Sequence, residues 1–244
     1  MSNCQHVTWI VVAVASLTGC ADNLNPHTAP ETPTTGNDRA SVSGHVVDSS
    51  GAPVAGATVT VRASGEKATS DATGAFSLDV PANTTLTLAG AAPNMAPTLV
   101  QQFMVSSGAS AVVDLPLITS DHFKTLVGQG ANTTGGVIAV ALRSMSGQGS
   151  IVGATVELTP NLGRVMYAPS GAGMVDPDAA MASVVPGSAP YAWAVGVQPH
   201  VSIMTVALRG VGQVAAPYSI NDVLWPGTFT VDAGALTLVT LYTP

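Results

Sequence analysis

Short runs in which apolar and polar residues alternate, separated by turn residues, fill the chain from Ser41 onward. A period of two places successive side chains on opposite faces of a strand, so each run predicts one buried and one wet face. In Ala57-Thr58-Val59-Thr60-Val61-Arg62 the valines share one face, and Thr58, Thr60 and Arg62 share the other. Phe76, Leu78 and Val80 alternate in the same way with Ser77 and Asp79. Further strands are expected at Thr85–Ala89, Leu99–Val105 and Ala111–Leu117. Turn chemistry separates them at Ser49-Ser50-Gly51-Ala52-Pro53, Ser64-Gly65-Glu66 and Asp71-Ala72-Thr73-Gly74. This succession predicts an all-β sandwich.

One segment breaks the pattern. Phe123, Leu126 and Val127 stand at i, i+3, i+4 behind Ser120 or Asp121 as cap, which predicts a short helix ended by Gly128 and packing two halves together. Asp121-His122 within it reads as an N-cap acid beside an exposed histidine, not as a metal or catalytic pair. The strand pattern then returns: Gly56-Ala57-Thr58-Val59 is matched by Gly153-Ala154-Thr155-Val156, and Phe76-x-Leu78-x-Val80 by Trp193-x-Val195-x-Val197. Each Gly-Ala pair marks either a close backbone approach or simple turn geometry.

Gly44, the Gly51 turn, Pro53, Gly56-Ala57-x-Val59 and Asp71-x-x-Gly74-x-Phe76 follow one another in an order that resembles the carboxypeptidase regulatory-like domain. The resemblance implies a transthyretin-like, Greek-key type β-sandwich over residues 41–119. With the second, looser copy it implies two tandem sandwiches: 41–119, a connector with a short helix at 120–134, and a more divergent domain at 135–244. It also implies the accessory, non-catalytic role such domains have beside catalytic or receptor domains, although no such companion is evident in this chain.

The interval from Val156 to Trp193 is about twice that from Val59 to Phe76, and the excess falls in residues 166–190. Long loops of this kind are often functional. As an interaction loop, this one would expose Tyr167, Met174 and Met181, with Asp176 and Asp178 beside them, to a partner protein or sugar face. The competing reading is a further strand around Ala182–Val185 packed on the sandwich.

Before Ser41 the chain has a different character. Val7–Leu17 is an uncharged apolar run of eleven residues, short of the roughly 20 that cross a bilayer and suited to a signal-peptide core. It closes on Leu17-Thr18-Gly19-Cys20, which resembles the bacterial lipobox. The resemblance implies cleavage after residue 19 and acylation of Cys20. Three acyl chains, at roughly 0.8 kcal/mol per buried CH₂, would attach the protein permanently. The segment before the run has no Lys or Arg, leaving the amino terminus and His6 to supply its charge. Residues 20–40, rich in Pro, Thr, Asn and Asp, cannot bury enough surface to order themselves and form a tether of roughly 25 Å. In a Gram-negative host, Ala21 in place of an inner-membrane retention aspartate implies the outer membrane.

Composition narrows the function. Cys4 and Cys20 are the only cysteines, so the folded part has no disulfide and depends on burial. With 14 acidic against 7 basic residues, a nucleic-acid partner is not expected. There is no His-Glu-x-x-His, Cys-x-x-Cys or Walker lysine loop, and Gly108-Ala109-Ser110-Ala111-Val112 lacks the final glycine of a nucleophile elbow. Asp176-Pro177-Asp178 would hold Ca²⁺ only with Glu157 or Asp222 brought near, and otherwise is a solvated acidic loop. No cofactor, no resident metal and no catalysis are expected. The partners implied are the membrane through the anchor, and envelope proteins or glycans. A carbohydrate-binding module is the alternative, with Trp225 beside Pro226-Gly227 as its one loop-exposed tryptophan, and an enzyme of unknown class is the remote one.

Overall fold

The structure, a computed structural model, describes residues 38–130, 134–144, 152–159, 165–169, 174, 176–184, 186, 191–199 and 229–243, with the backbone of short strands at 202–203, 205–209, 214–215, 218–220 and 223–225. The signal run, Cys20 and nearly all of the tether lie outside these residues. No helix among the described residues is long and apolar enough to cross a membrane.

The alternating runs around Val59 and Phe76 form strands as expected, while the run expected at Thr85–Ala89 pairs as a strand only from Leu88 to Ala91, with Leu86 in an isolated bridge to Phe103. Arg39–Asp48 pairs antiparallel with Ala75–Pro81, from Arg39 opposite Pro81 to His45 opposite Ala75. On its other edge lies a parallel strand in two parts, Ser110–Val112 and Leu115–Thr119. The break at Val113-Asp114 has a specific cause: the Asp114 carboxylate accepts the His45 N–H at 3.0 Å, in place of a backbone ladder bond. Facing this sheet, Thr58–Val61 is flanked by Lys67–Thr69 and Leu88–Ala91. The run expected at Leu99–Val105 divides into Thr98–Val100 and Met104–Val105, with Gln101 buried next to the break. Val42, Val46, Val59, Val61, Phe76, Leu78, Val80, Leu88 and Phe103 fill the core between the two sheets.

The two halves share a sheet. The last strand, Leu236–Thr243, lies parallel to Gly136–Ser144 on one side and to Thr98–Val100 on the other, with Leu238 opposite both Ala139 and Val100. The result is a continuous eight-stranded sheet. It runs from Val165–Tyr167 through Tyr191–Val197, Gly136–Ser144, Leu236–Thr243, Thr98–Val100, Leu88–Ala91 and Thr58–Val61 to Lys67–Thr69. Each half keeps its own core, the second built on Ile138, Val140, Leu142, Val156, Leu158 and Val239. The described residues form one compact unit.

A third core lies at the junction. Ser120–Gly128 is the helix, and its Phe123, Leu126 and Val127 pack with Ala96 and Ile118 of the first half and with Val137, Ala139 and Trp193 of the second. Its cap is Thr119, whose hydroxyl accepts the His122 N–H at 3.2 Å, one residue before the Ser or Asp expected. Thr119 is also the last residue of its strand, so the chain passes from strand to helix without a loop and the strand end serves as the cap.

Tyr191–Val197 departs from the alternation expected of it, because all seven residues are buried. Trp193 and Val195 face the junction core, while Ala192 and Ala194 face the second core. Opposite Gly136–Ile138 the strand carries an extra residue, and Gly196 at φ +65° takes it, which returns Val197 to the second core. A central strand covered on both faces reads as a continuous apolar run.

Shared sheet and junction core make the halves cooperative. Phe76→Ala in the first half should cost about 3–5 kcal/mol. The loss should be read equally by far-ultraviolet dichroism and by the fluorescence of Trp193 and Trp225, which lie in the second half. Denaturation curves in which the two probes separate would contradict the coupling.

Candidate functional site

The sequence landmarks of the first half serve architecture. Asp48 and Asp71 build the same turn twice. The Asp48 carboxylate accepts from the Ser50 hydroxyl (2.6 Å), the Ser50 N–H (2.8 Å) and the Ala52 N–H (3.0 Å). The Asp71 carboxylate accepts from the Thr73 hydroxyl (2.7 Å), the Thr73 N–H (2.8 Å) and the Ala75 N–H (2.9 Å). In both, the side-chain hydroxyl bond contributes most to holding the carboxyl below its ordinary value. A Cβ on Gly74 would collide with the Val46 carbonyl oxygen, so the second turn seats against the strand Arg39–Asp48. Gly56 and Gly153 have φ +73° and +83° with open space around them, so these glycines answer to turn geometry. The alanines after them, Ala57 and Ala154, are fully buried.

Among the described residues of 166–190, Tyr167, Met174 and Val184 are buried, which corrects the exposure that the interaction-loop reading gave Tyr167 and Met174. Tyr167 is 3% exposed, at the end of the strand Val165–Tyr167, and its hydroxyl oxygen accepts the Val156 N–H at 2.8 Å. Burial raises the pKa of this phenol. Met174, 4% exposed, sits in the junction core, and its N–H bonds the Ser49 carbonyl of the first half at 2.9 Å. Asp176 reaches His122 on the helix. Asp178 donates its N–H to the Tyr167 carbonyl and accepts the Ala180 N–H at 2.8 Å, closing its own turn. Met181 is partly buried against the second core. Val184, instead of belonging to a strand at 182–185, exchanges two backbone bonds with Gly153 and Ala154. A segment with one aliphatic residue every few positions, tied down by isolated bonds, carries no period for the eye to find. The two aspartates point to different partners, and no group of three metal-ligating side chains occurs among the described residues. Asp222 is outside them.

For the sugar-platform alternative, Trp193 is fully buried and unavailable. Trp225 pairs through its backbone with Tyr218, and its side chain lies outside the described residues. The structure brings Tyr167 and Met181 together with Glu157 around a groove of about 690 Å³ beside the strand Thr155–Thr159.

The sequence reading missed a second recess. A cleft of about 380 Å³ opens where the first half's sheet meets the shared sheet. One wall is Val47, Val112, Val113, Asp114 and Pro116; the other is Val100, Ala141, Tyr191, Leu238 and Thr240. Asp114 is its only charged residue, with a side chain 62% exposed and lying 3.7 Å from the His45 ring. Glu157 is the charged residue of the first recess and Asp114 that of the second.

Residues 41–118 match the carboxypeptidase regulatory-like domain. No curated protein matches the chain. Among solved structures, the chain is similar to the Bacillus anthracis TIE protein, at 12% identity over 84% of this chain and 34% of that one, with a TM-score of 0.24. It is similar to a streptococcal ancillary pilin at 14% identity over 86% and 64%, TM-score 0.25. A candidate carbohydrate-binding protein of Bacteroides uniformis aligns at 14% identity over 81% and 100%, TM-score 0.28. The chain therefore spans about a third of the first and just under two thirds of the second. At such TM-scores these likenesses establish neither a shared fold nor a shared task.

Two outcomes follow from this geometry. Replacing residues 174–184 by a short Gly-Ser turn should destabilise the protein by about 2–5 kcal/mol, because Met174 and Val184 leave buried sites. Limited proteolysis of the intact chain should spare the segment, and rapid cleavage there with an unchanged melting temperature would refute its packing. The second outcome concerns acid. The carboxyls of Asp48 and Asp71 lie below their ordinary value, so their contribution to stability is complete above about pH 4 and is lost as the pH falls through the depressed values. The Asp48→Asn/Asp71→Asn double variant keeps an acceptor oxygen without the charge. Its denaturation midpoint should change less between pH 4 and 2 than that of the parent, and parallel curves would refute the assignment.

Proposed function

We propose that the chain is an exported lipoprotein, fixed to a membrane by acyl chains on Cys20, whose folded part is a non-catalytic binding or structural module of the cell envelope. The observation that carries the anchoring is the quartet Leu17-Thr18-Gly19-Cys20 at the end of the apolar run Val7–Leu17. The module reading is supported by the match of residues 41–118 to a regulatory-like domain and by the two recesses of about 380 and 690 Å³ in the folded part. In a Gram-negative host the membrane is the outer one, with the module held on a tether of roughly 25 Å. Envelope proteins or glycans are the partners within reach.

The anchor is tested in a bacterial host by labelling with a palmitate analogue. The mature protein should take up label and partition into detergent, and Cys20→Ala should leave an unlabelled, uncleaved precursor. Equal labelling of the variant, or a mature chain that does not begin at Cys20, would overturn the anchoring.

A further inference from the structure

Strands at the border of a sheet carry unpaired N–H and C=O groups and are natural sites for another chain to add, so proteins protect them. Three borders here are protected. Lys67–Thr69 is three residues long and begins with a lysine. Val165–Tyr167 is equally short and is bridged by Asp178. On Ala75–Pro81 the Arg39 side chain reaches across to Asp79 at 2.9 Å.

Residues 110–114 are different. Ser41 donates its N–H to the Ala109 carbonyl at 3.0 Å, and Val113 donates to the Ser43 carbonyl at 2.8 Å. In a parallel pair the polar groups of alternate residues face alternate sides. Residues 109, 111 and 113 therefore face Arg39–Asp48, and the N–H and C=O of Ser110 and Val112 face the opposite way. Among the described residues Ser110–Val112 has no strand but Arg39–Asp48 beside it. Val112 is also the most exposed large apolar residue described, at 76%. Immediately beyond it the 380 Å³ cleft opens, within the range of about 300–1,000 Å³ typical of ligand pockets. Three features coincide at one place: a border that no further strand covers among the described residues, an exposed aliphatic side chain, and a recess lined by aliphatic side chains and polar groups with a single carboxylate at its wall.

We infer that the border 110–114 and the adjoining cleft receive an extended peptide segment of a partner protein, carrying aliphatic side chains at alternate positions and a Lys or Arg that meets Asp114. The inference rests on the reading of the chain as a binding module and names its partner class. Main-chain bonds to Ser110 and Val112 supply the register. Side chains at every second position enter between Val100, Val113 and Leu238, as strand addition requires. Charge favours a basic segment: the chain carries a net charge of −7, and among the described residues the Asp114 carboxylate meets no Lys or Arg, its neighbours being the N–H and the half-exposed ring of His45. Val112, itself part of the cleft wall and 76% exposed, extends the aliphatic contact at the mouth of the recess.

The experiment uses the full-length chain, immobilised through a C-terminal tag, to select from a phage-displayed library of random dodecapeptides. Enriched peptides should alternate Val, Ile or Leu with polar residues and carry Lys or Arg. Their synthetic forms should lose about tenfold or more in affinity for Val112→Pro, a change of at least one factor of ten in Kd. That substitution removes an outward N–H and leaves the bonds of Ala109 and Val113 in place. Asp114→Asn keeps an acceptor for the His45 N–H while removing the charge, and should weaken basic peptides about three- to tenfold, with a smaller loss in added salt. Matching melting temperatures and dichroism spectra establish that both variants fold. Peptides that bind both variants like the parent overturn the site and leave the binding-module reading standing. A library that yields no enriched peptide overturns the peptide class. A concentration-dependent dimer of the parent that Val112→Pro dissolves assigns the border to a second copy of this chain and overturns the inference.

Discussion

Parallel pairing of Leu236–Thr243 between Gly136–Ser144 and Thr98–Val100 is the constraint on which the rest of the molecule depends. Remove it and two sandwiches remain, each with an open border in the middle of its larger sheet. With it, one sheet spans both halves, the helix Ser120–Gly128 acquires a continuous surface to cover, and Trp193 becomes fully buried. The pairing joins residues far apart in sequence, so loop-closure entropy opposes it until both halves are formed. It also confines the hydroxyl of Thr237, 1% exposed and without a hydrogen-bond partner among the described residues. An unsatisfied buried hydroxyl costs about 1–3 kcal/mol, which the apolar neighbours Leu236, Leu238 and Val239 offset by their own burial.

Burial has to supply this stability without cross-links, in a chain with few aromatic residues. Small side chains make that workable. Ala139, Ala141, Ala192 and Ala194 occupy the centre of the shared sheet, all of them 3% exposed or less, and let the covering layers approach closely on both faces. Gly44 does the same in the first half, where a Cβ would strike the carbonyl oxygen of Val113. An interior of small residues interdigitates with little slack, and the deletion of one large group, Phe76 or Trp193, leaves a void its neighbours cannot fill.

How far the fold could be read from the sequence follows from where each residue's environment is decided. Val59, Val61, Phe76, Leu78 and Val80 each have a more exposed neighbour on either side, so the period of two is written into the chain and these two strands were legible, whereas the short Lys67–Thr69 and Met95–Ala96 carry too few residues to show a period. The Asp71 turn was legible too, because its hydrogen bonds are local. Tyr191–Val197 was misread as half-wet because its second covering layer comes from the helix and from residues 96 and 118, which no local pattern announces. The segment 166–190 was ambiguous for the same reason. Tyr167, Met174, Asp176 and Val184 answer to Val156, Ser49, His122 and Ala154, and only the assembled fold brings those partners near.

The cleft was invisible in sequence for a further reason: it is made by an interruption. Asp114 takes the His45 N–H with its side chain, and that substitution ends the ladder of Ser110–Val112 before Leu115–Thr119 resumes it. One carboxylate therefore divides the strand beside the outward-facing groups of Ser110 and Val112 and stands at the rim of the recess behind it. A fold whose larger sheet ends in short strands, one beginning with a lysine, and whose strand Ala75–Pro81 carries an arginine bridge would gain stability from a continuous pairing here. Keeping the interruption makes sense if the border has a use, and a module on a flexible tether, free to present any side, has reason to keep one border open.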